Sequence, residues 1–80
     1  MHELAVARDI VSMVEEVAAG RPVQRVNVEI GQESCVSPDA LAFCFDIAAE
    51  GGAAAAASLE IARTPGDALT LKSIELEETV

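Results

Sequence analysis

The residues able to do chemistry are few, and the most informative stands at position two. His2 is the chain's single histidine, directly after Met1 and before Glu3. Methionine is normally retained when the second residue is large. The free amine of Met1, the amide nitrogen of His2 and its imidazole can then close consecutive chelate rings on one metal ion. Nitrogen ligands in a plane suit Ni(II) or Cu(II), with a fourth place open to the amide or carboxylate of Glu3. The amine and imidazole must be deprotonated, and the amide binds only if the metal displaces its proton, so affinity should rise with pH. Such a site holds metal transiently. On spacing alone the bland reading carries more weight: His2 as an exposed residue at a frayed terminus.

Other chemistry finds little support. No glycine-rich phosphate loop is present, and with one histidine no serine or cysteine has a second histidine-bearing segment to act as its base. Glu15/Glu16 and Glu77/Glu78 are adjacent acids, which on a helix do not face each other and are usually solvated surface. Cys35 and Cys44 form no C-x-x-C pair, which argues against a disulfide framework and a local zinc knuckle. They read as reduced, partly buried small apolar side chains.

The elements that must position these residues belong to one small domain, residues 1–80. A chain of 80 residues with 51% hydrophobic content buries only about 60% of its unfolded surface. Phe43 and Phe45 are its only aromatics, so the core must be thin aliphatics packed closely. Partner contacts or self-association therefore have room to add stability. A net charge of −9 repels phosphate backbones and anionic headgroups, so neither nucleic acid nor a membrane surface is an expected partner. The first twenty residues carry Glu3, Arg8, Asp9, Glu15 and Glu16, leaving no apolar signal-peptide region and no span, and the chain reads as cytoplasmic.

Leu4, Ala7, Ile10, Val11, Val14, Val17 and Ala18 recur at three- and four-residue steps, predicting an amphipathic helix over about residues 3–19. Gly20 and Arg21-Pro22 stop it. Val26, Val28 and Ile30 alternate with polar neighbours in a half-buried strand over 24–30, with Val23 just before it. After a polar loop at 31–34, Ser37-Pro38-Asp39 reads as N-cap, first-turn proline and first-turn acid of a second helix. That helix puts Leu41, Phe45 and Ala48 on one stripe with Cys44 and Ile47 beside it, Phe43 near the edge, and Gly51-Gly52 closing it. The alanines at 53–57 are an ambiguous connector into a strand at 58–63. A turn at Thr64-Pro65-Gly66-Asp67 leads to a last strand. There Leu69 and Leu71 differ in parity from Ile74 and Leu76, which predicts a bulge near Lys72-Ser73. The expected architecture is two-layer α+β: two helices packed on one face of a three-stranded mixed sheet, in the order α-β-α-β-β.

Met1-His2-Glu3-Leu4 resembles the start of the HypA/HybF hydrogenase and urease nickel-incorporation proteins. The likeness continues through Val28-Glu29-Ile30-Gly31, Ser34-Cys35-Val36, Pro38-Asp39-Ala40-Leu41, Phe43 to Phe45, Leu59-Glu60-Ile61 and the stretch Leu69, Leu71-Lys72-Ser73-Ile74-Glu75. The resemblance implies a non-enzymatic nickel metallochaperone. It would bind Ni(II) through Met1, His2 and Glu3 and assist its insertion into hydrogenase, and sometimes urease, with a nickel-delivery GTPase and the hydrogenase large subunit as partners. In that family a zinc domain with two C-x-x-C pairs lies between the last two strands, corresponding here to residues 64–67. Its cysteines are missing, so no zinc is expected; a bare turn joining two otherwise family-like strands is what an excision would leave, with a natural short form as the alternative. With the resemblance, the nickel reading of His2 overtakes the bland one, while Cys35 and Cys44 stay structural.

Two other classes remain open at this point. One is a metal-free interaction module that keeps the fold and docking surface only. The other is a small acid–base enzyme, which would need a concave site with a perturbed carboxylate. Exposed sheet edges also leave room for a homo-oligomer or strand exchange.

Overall fold

Apolar residues repeating at helical spacing can hide from water only by turning one stripe of a helix onto something else. In the computed structural model, which describes residues 3–78, the first segment does so as α1 (Glu3–Ala18), burying Ala7, Ile10, Val11, Val14 and Ala18. Two residues of the expected stripe differ. Val17 is 67% exposed and Leu4 36%. Successive helical residues are about 100° apart, so with Val14 and Ala18 facing inward Val17 falls on the flank, while Leu4 sits in the half-covered first turn. The helix ends through two left-handed residues, Ala19 (φ 53°) as well as the expected Gly20 (φ 87°).

The second segment forms β1 (Val23–Gly31), the centre of a sheet in the order β2-β1-β3. The strand β2 (Ser58–Thr64) pairs with it in parallel, and β3 (Leu69–Leu76) antiparallel. Val26 lies opposite Leu59 and Ile74, and Val28 opposite Ile61 and Leu71, so aliphatics of all three strands meet on one face. The expected bulge is present: Asn27 pairs with Ser73 but Val28 with Leu71, leaving Lys72 as the extra residue. Leu69, Leu71, Ile74 and Leu76 all consequently pack against the core. A second irregularity, between Val23 and Arg25, lets Val23 join Val26, Val28 and Ile30 inside despite its opposite parity.

The connection from β1 to β2 runs through α2 (Pro38–Ala48), which begins as its sequence predicts. Ser37 is the N-cap, and its side chain accepts a hydrogen bond from Ala40 N–H. Leu41 and Phe45 are buried and Cys44 and Ala48 half-buried, whereas Ile47 and Phe43 are 47% and 69% exposed. The ambiguous 53–57 segment is a run of turns. Ala55 N–H bonds Gly52 O, Ala57 N–H bonds Ala54 O, and Val23 N–H takes Ala53 O, with Ala54 buried. Both helices cover the apolar face, α1 toward β3 and α2 toward β2. The other face is polar, with Arg25–Glu75 at 2.6 Å and Asn27 donating to Ser73 and Glu75. Asn27 and then Arg25 hold the Glu75 carboxyl below its ordinary range.

Although only a short turn joins them, β2 and β3 do not pair with each other. The chain leaves β2, passes over the end of β1 and descends on its far side. Backbone hydrogen bonds strap this crossing down: Gly31 N–H to Ala68 O, Gln32 N–H to Thr64 O and Glu33 N–H to Gly66 O, at 2.7–2.8 Å. Arg63 adds bonds to the carbonyls of Ile30 and Gly31. The approach is so close that a Cβ on Gly31 would strike the Gly66 carbonyl, and Gly66 itself turns at φ 92°. Gly31→Ala is therefore expected to destabilise by about 1–3 kcal/mol, since rigid backbone must give way. At Gly52 the obstructing atom is the mobile Glu15 carboxylate, so Gly52→Ala should cost clearly less. Denaturant unfolding of the two variants measures the difference.

Candidate metal centre

Of the three residues expected to bind metal, Met1 and His2 lie outside the described residues, and Glu3 is the first residue of α1. An acid in a helix's first turn is favoured by the unpaired N–H groups there. Glu3 does more than meet that preference. Its Oε2 accepts a hydrogen bond from the backbone N–H of Ser37 at 3.1 Å, across 34 positions of sequence. Hydrogen bonding from the chain's amino terminus, then from Ser37 N–H and its own N–H, holds its carboxyl down to about 2. It is thus fully ionised wherever an amine or imidazole could give up a proton to a metal.

This contact fixes where α1 begins. Ser37 precedes α2 and follows the loop after β1, so both helices begin at the end of β1 over which the 64–68 crossing passes. Cys35, exposed and two residues before Ser37, rides on that same loop. Nothing in the sequence places either cysteine near Glu3, and for Cys35's loop the structure supplies that placement through Ser37. Cys44 packs against the core. Among the described residues no three His, Cys, Asp or Glu side chains gather as a ligand set. A shallow groove on the solvent face of the sheet, lined by Asn27, Glu29, Glu60 and Lys72 among others, and another at the far end around Glu15, Gly20 and Gly52 do not include Glu3.

A family model described as "Hydrogenase/urease nickel incorporation, metallochaperone, hypA" matches residues 1–73, a span that includes Met1, His2 and Glu3. The chain belongs to the HypA family. That family is one of metallochaperones and maturation factors, not of enzymes. Hydrogenase maturation factor HypA of Trichormus variabilis is 48% identical over 66 residues, covering 82% of this chain and 58% of that protein. HypA 2 of Bradyrhizobium diazoefficiens is 44% identical over 84 residues, covering 98% and 74%. The chain thus spans little more than half the length of relatives such as the first. The solution structure of the Ni metallochaperone HypA from Helicobacter pylori has the same fold, with a TM-score of 0.85 at 20% identity, covering 95% of this chain and 97% of that one. The two-layer α+β arrangement expected from the sequence is therefore the HypA arrangement.

The Glu3 carboxyl leads to a prediction about acid stability. Its folded-state pKa lies below the ordinary value of 4.5, so its contribution is present above that value and is lost as pH falls toward about 2. Native protein and Glu3→Gln should therefore differ in unfolding midpoint at neutral pH and converge between 4.5 and about 2. Thermal unfolding across that range is the check.

Proposed function

We propose that this chain is the nickel-binding domain of a HypA metallochaperone, binding Ni(II) transiently as cargo and assisting its insertion into hydrogenase during maturation. The Met1 amine, the His2 amide and the His2 imidazole supply three nitrogens, with Glu3 completing the plane. The partners in this reading are a nickel-delivery GTPase and the hydrogenase large subunit, with urease a further target, all in the cytoplasm. The observation that carries the reading is that the family match begins at residue 1 and so takes in the Met-His-Glu start. Glu3 supports it by being anchored and ionised at the domain surface.

The same reading takes the domain to work without zinc. The expected insertion point at residues 64–67 lies in a crossing closed by three backbone hydrogen bonds to residues 31–33, so the sheet needs no metal to hold its ends together. A chelator such as EDTA should leave the unfolding midpoint unchanged. A structural zinc would lower it on removal, by an amount well above measurement error.

The nickel reading is tested by calorimetric and absorption titration of Ni(II) into protein with a free N-terminus, beside His2→Ala and an N-terminally extended form. Planar nickel absorption is expected in the first sample only. Equal binding by all three would put the metal elsewhere and remove His2 from the site. Binding by none would favour the metal-free interaction module.

A further inference from the structure

Phe43 is one of two aromatic residues in a chain whose core is otherwise thin aliphatics, yet it stays in water. It is 69% exposed, and Ile47, one turn on, is 47% exposed. The inward line of α2 runs through Leu41 and Phe45 to the cap residue Ala49, all buried. At about 100° per residue, Phe43 and Ile47 fall about 160° to either side of Phe45, on the face turned directly away from that line. Residues four apart form a ridge along a helix, and both members of this one are large and apolar. The exposed Met13 and Val17 of α1 differ, since they border that helix's buried stripe.

The charges beside the ridge are of one sign. Helix α2 carries Asp39 and Asp46 and no basic residue, and Glu50 follows its end. Asp39 has a local reason, because the first turn of a helix favours an acid. Asp46 has none: it stands in the last turn, where the helix dipole repels negative charge and no basic residue offsets it. Among the described residues the ion pairs lie elsewhere, Arg25 with Glu75 and Lys72 with Glu29, and neither Asp46 nor Glu50 joins one. An exposed apolar ridge and uncompensated acids both disfavour α2 in isolation, and they stand side by side.

We infer that the outer face of α2 is a docking surface for a helix of a partner protein whose apolar stripe is bordered by lysines or arginines. Phe43 and Ile47 enter the groove between side-chain rows of that helix, and Asp46 and Glu50 meet its cationic border. The acids speed encounter at long range, while the apolar pair sets the lifetime of the complex. A second copy of this chain is a poor occupant, because it brings the same acids and the same net charge of −9. The surface does not depend on nickel, so the inference goes beyond the function proposed above and stands apart from it.

The probe is a synthetic helical peptide with leucines at every third and fourth position and lysines on both borders of that stripe. Beside it stand the same peptide with glutamates for lysines and a scrambled lysine form. Binding to the full chain is followed by calorimetry and by backbone amide shifts in NMR. The patterned lysine helix is expected to bind and to shift amides within residues 39–50, and the glutamate form is expected not to bind. Phe43→Ser should weaken binding by about tenfold or more, as loss of an interface anchor does, and should leave the unfolding midpoint unchanged. Asp46→Asn combined with Glu50→Gln should weaken binding less and flatten its salt dependence. Met13→Ser combined with Val17→Ser, on α1, should bind like the native chain.

No binding of the patterned lysine helix, equal binding of the scrambled form, or shifts spread over the acidic surface at large would each overturn the inference. So would native affinity in Phe43→Ser, or a lowered unfolding midpoint there, which would make Phe43 a structural residue. A dimer in sedimentation that Phe43→Ser dissolves would give this face to a second copy instead.

Discussion

Everything in this domain is referred to β1, a strand that must pair along both edges while turning every large aliphatic it has toward one side. Val23, Val26, Val28 and Ile30 are almost wholly buried, and with only two phenylalanines in the chain no bulky side chain could fill a gap left by a misplaced valine. Parity therefore has to be corrected wherever it slips. It is corrected twice, once beside Gln24 and once at Lys72, and in both places an extra residue in one strand keeps the aliphatic rows facing the helices.

That constraint also decides where Glu3 is held. A parallel neighbour for β1 requires a crossover, which α2 provides, and a helix laid back along the sheet must start where β1 finishes. The short turn after α1 makes the first helix begin at the same end. Two helix starts side by side present a cluster of unpaired N–H groups, and an acid at the third residue is the natural group to answer them. The anchoring of Glu3 follows from the topology of a strand more than twenty residues away.

Local features were readable in the residues. Ser37-Pro38-Asp39 marks its helix start by side-chain chemistry contained within three positions, and the parity clash between Leu71 and Ile74 announces a bulge without reference to any partner strand. Non-local ones were not. The irregularity that buries Val23 shows only when β3 lies alongside, and the exposure of Val17 and Ile47 depends on how far each helix is covered by its neighbours. Glu3 and Ser37 gave no sign of contact beyond a faint one: a capping serine whose box lacks its acidic partner at Ala40. The terminal Met-His pair carried little by spacing and much more by likeness to a family, because a chelating tripeptide has no periodicity to betray it.

The passage of the chain over the end of β1 has a geometric corollary. Because β2 and β3 flank β1 rather than adjoin, the strand ends they present at that crossing are separated by two inter-strand spacings, about 10 Å. Anything built into the chain there would have to bring its own two ends to that separation. It would then stand on a pair of legs planted on opposite sides of the central strand. Two such attachments resist swivelling in a way that a single flexible tether does not, so a passenger at this point would keep a constant bearing toward the nearby starts of both helices.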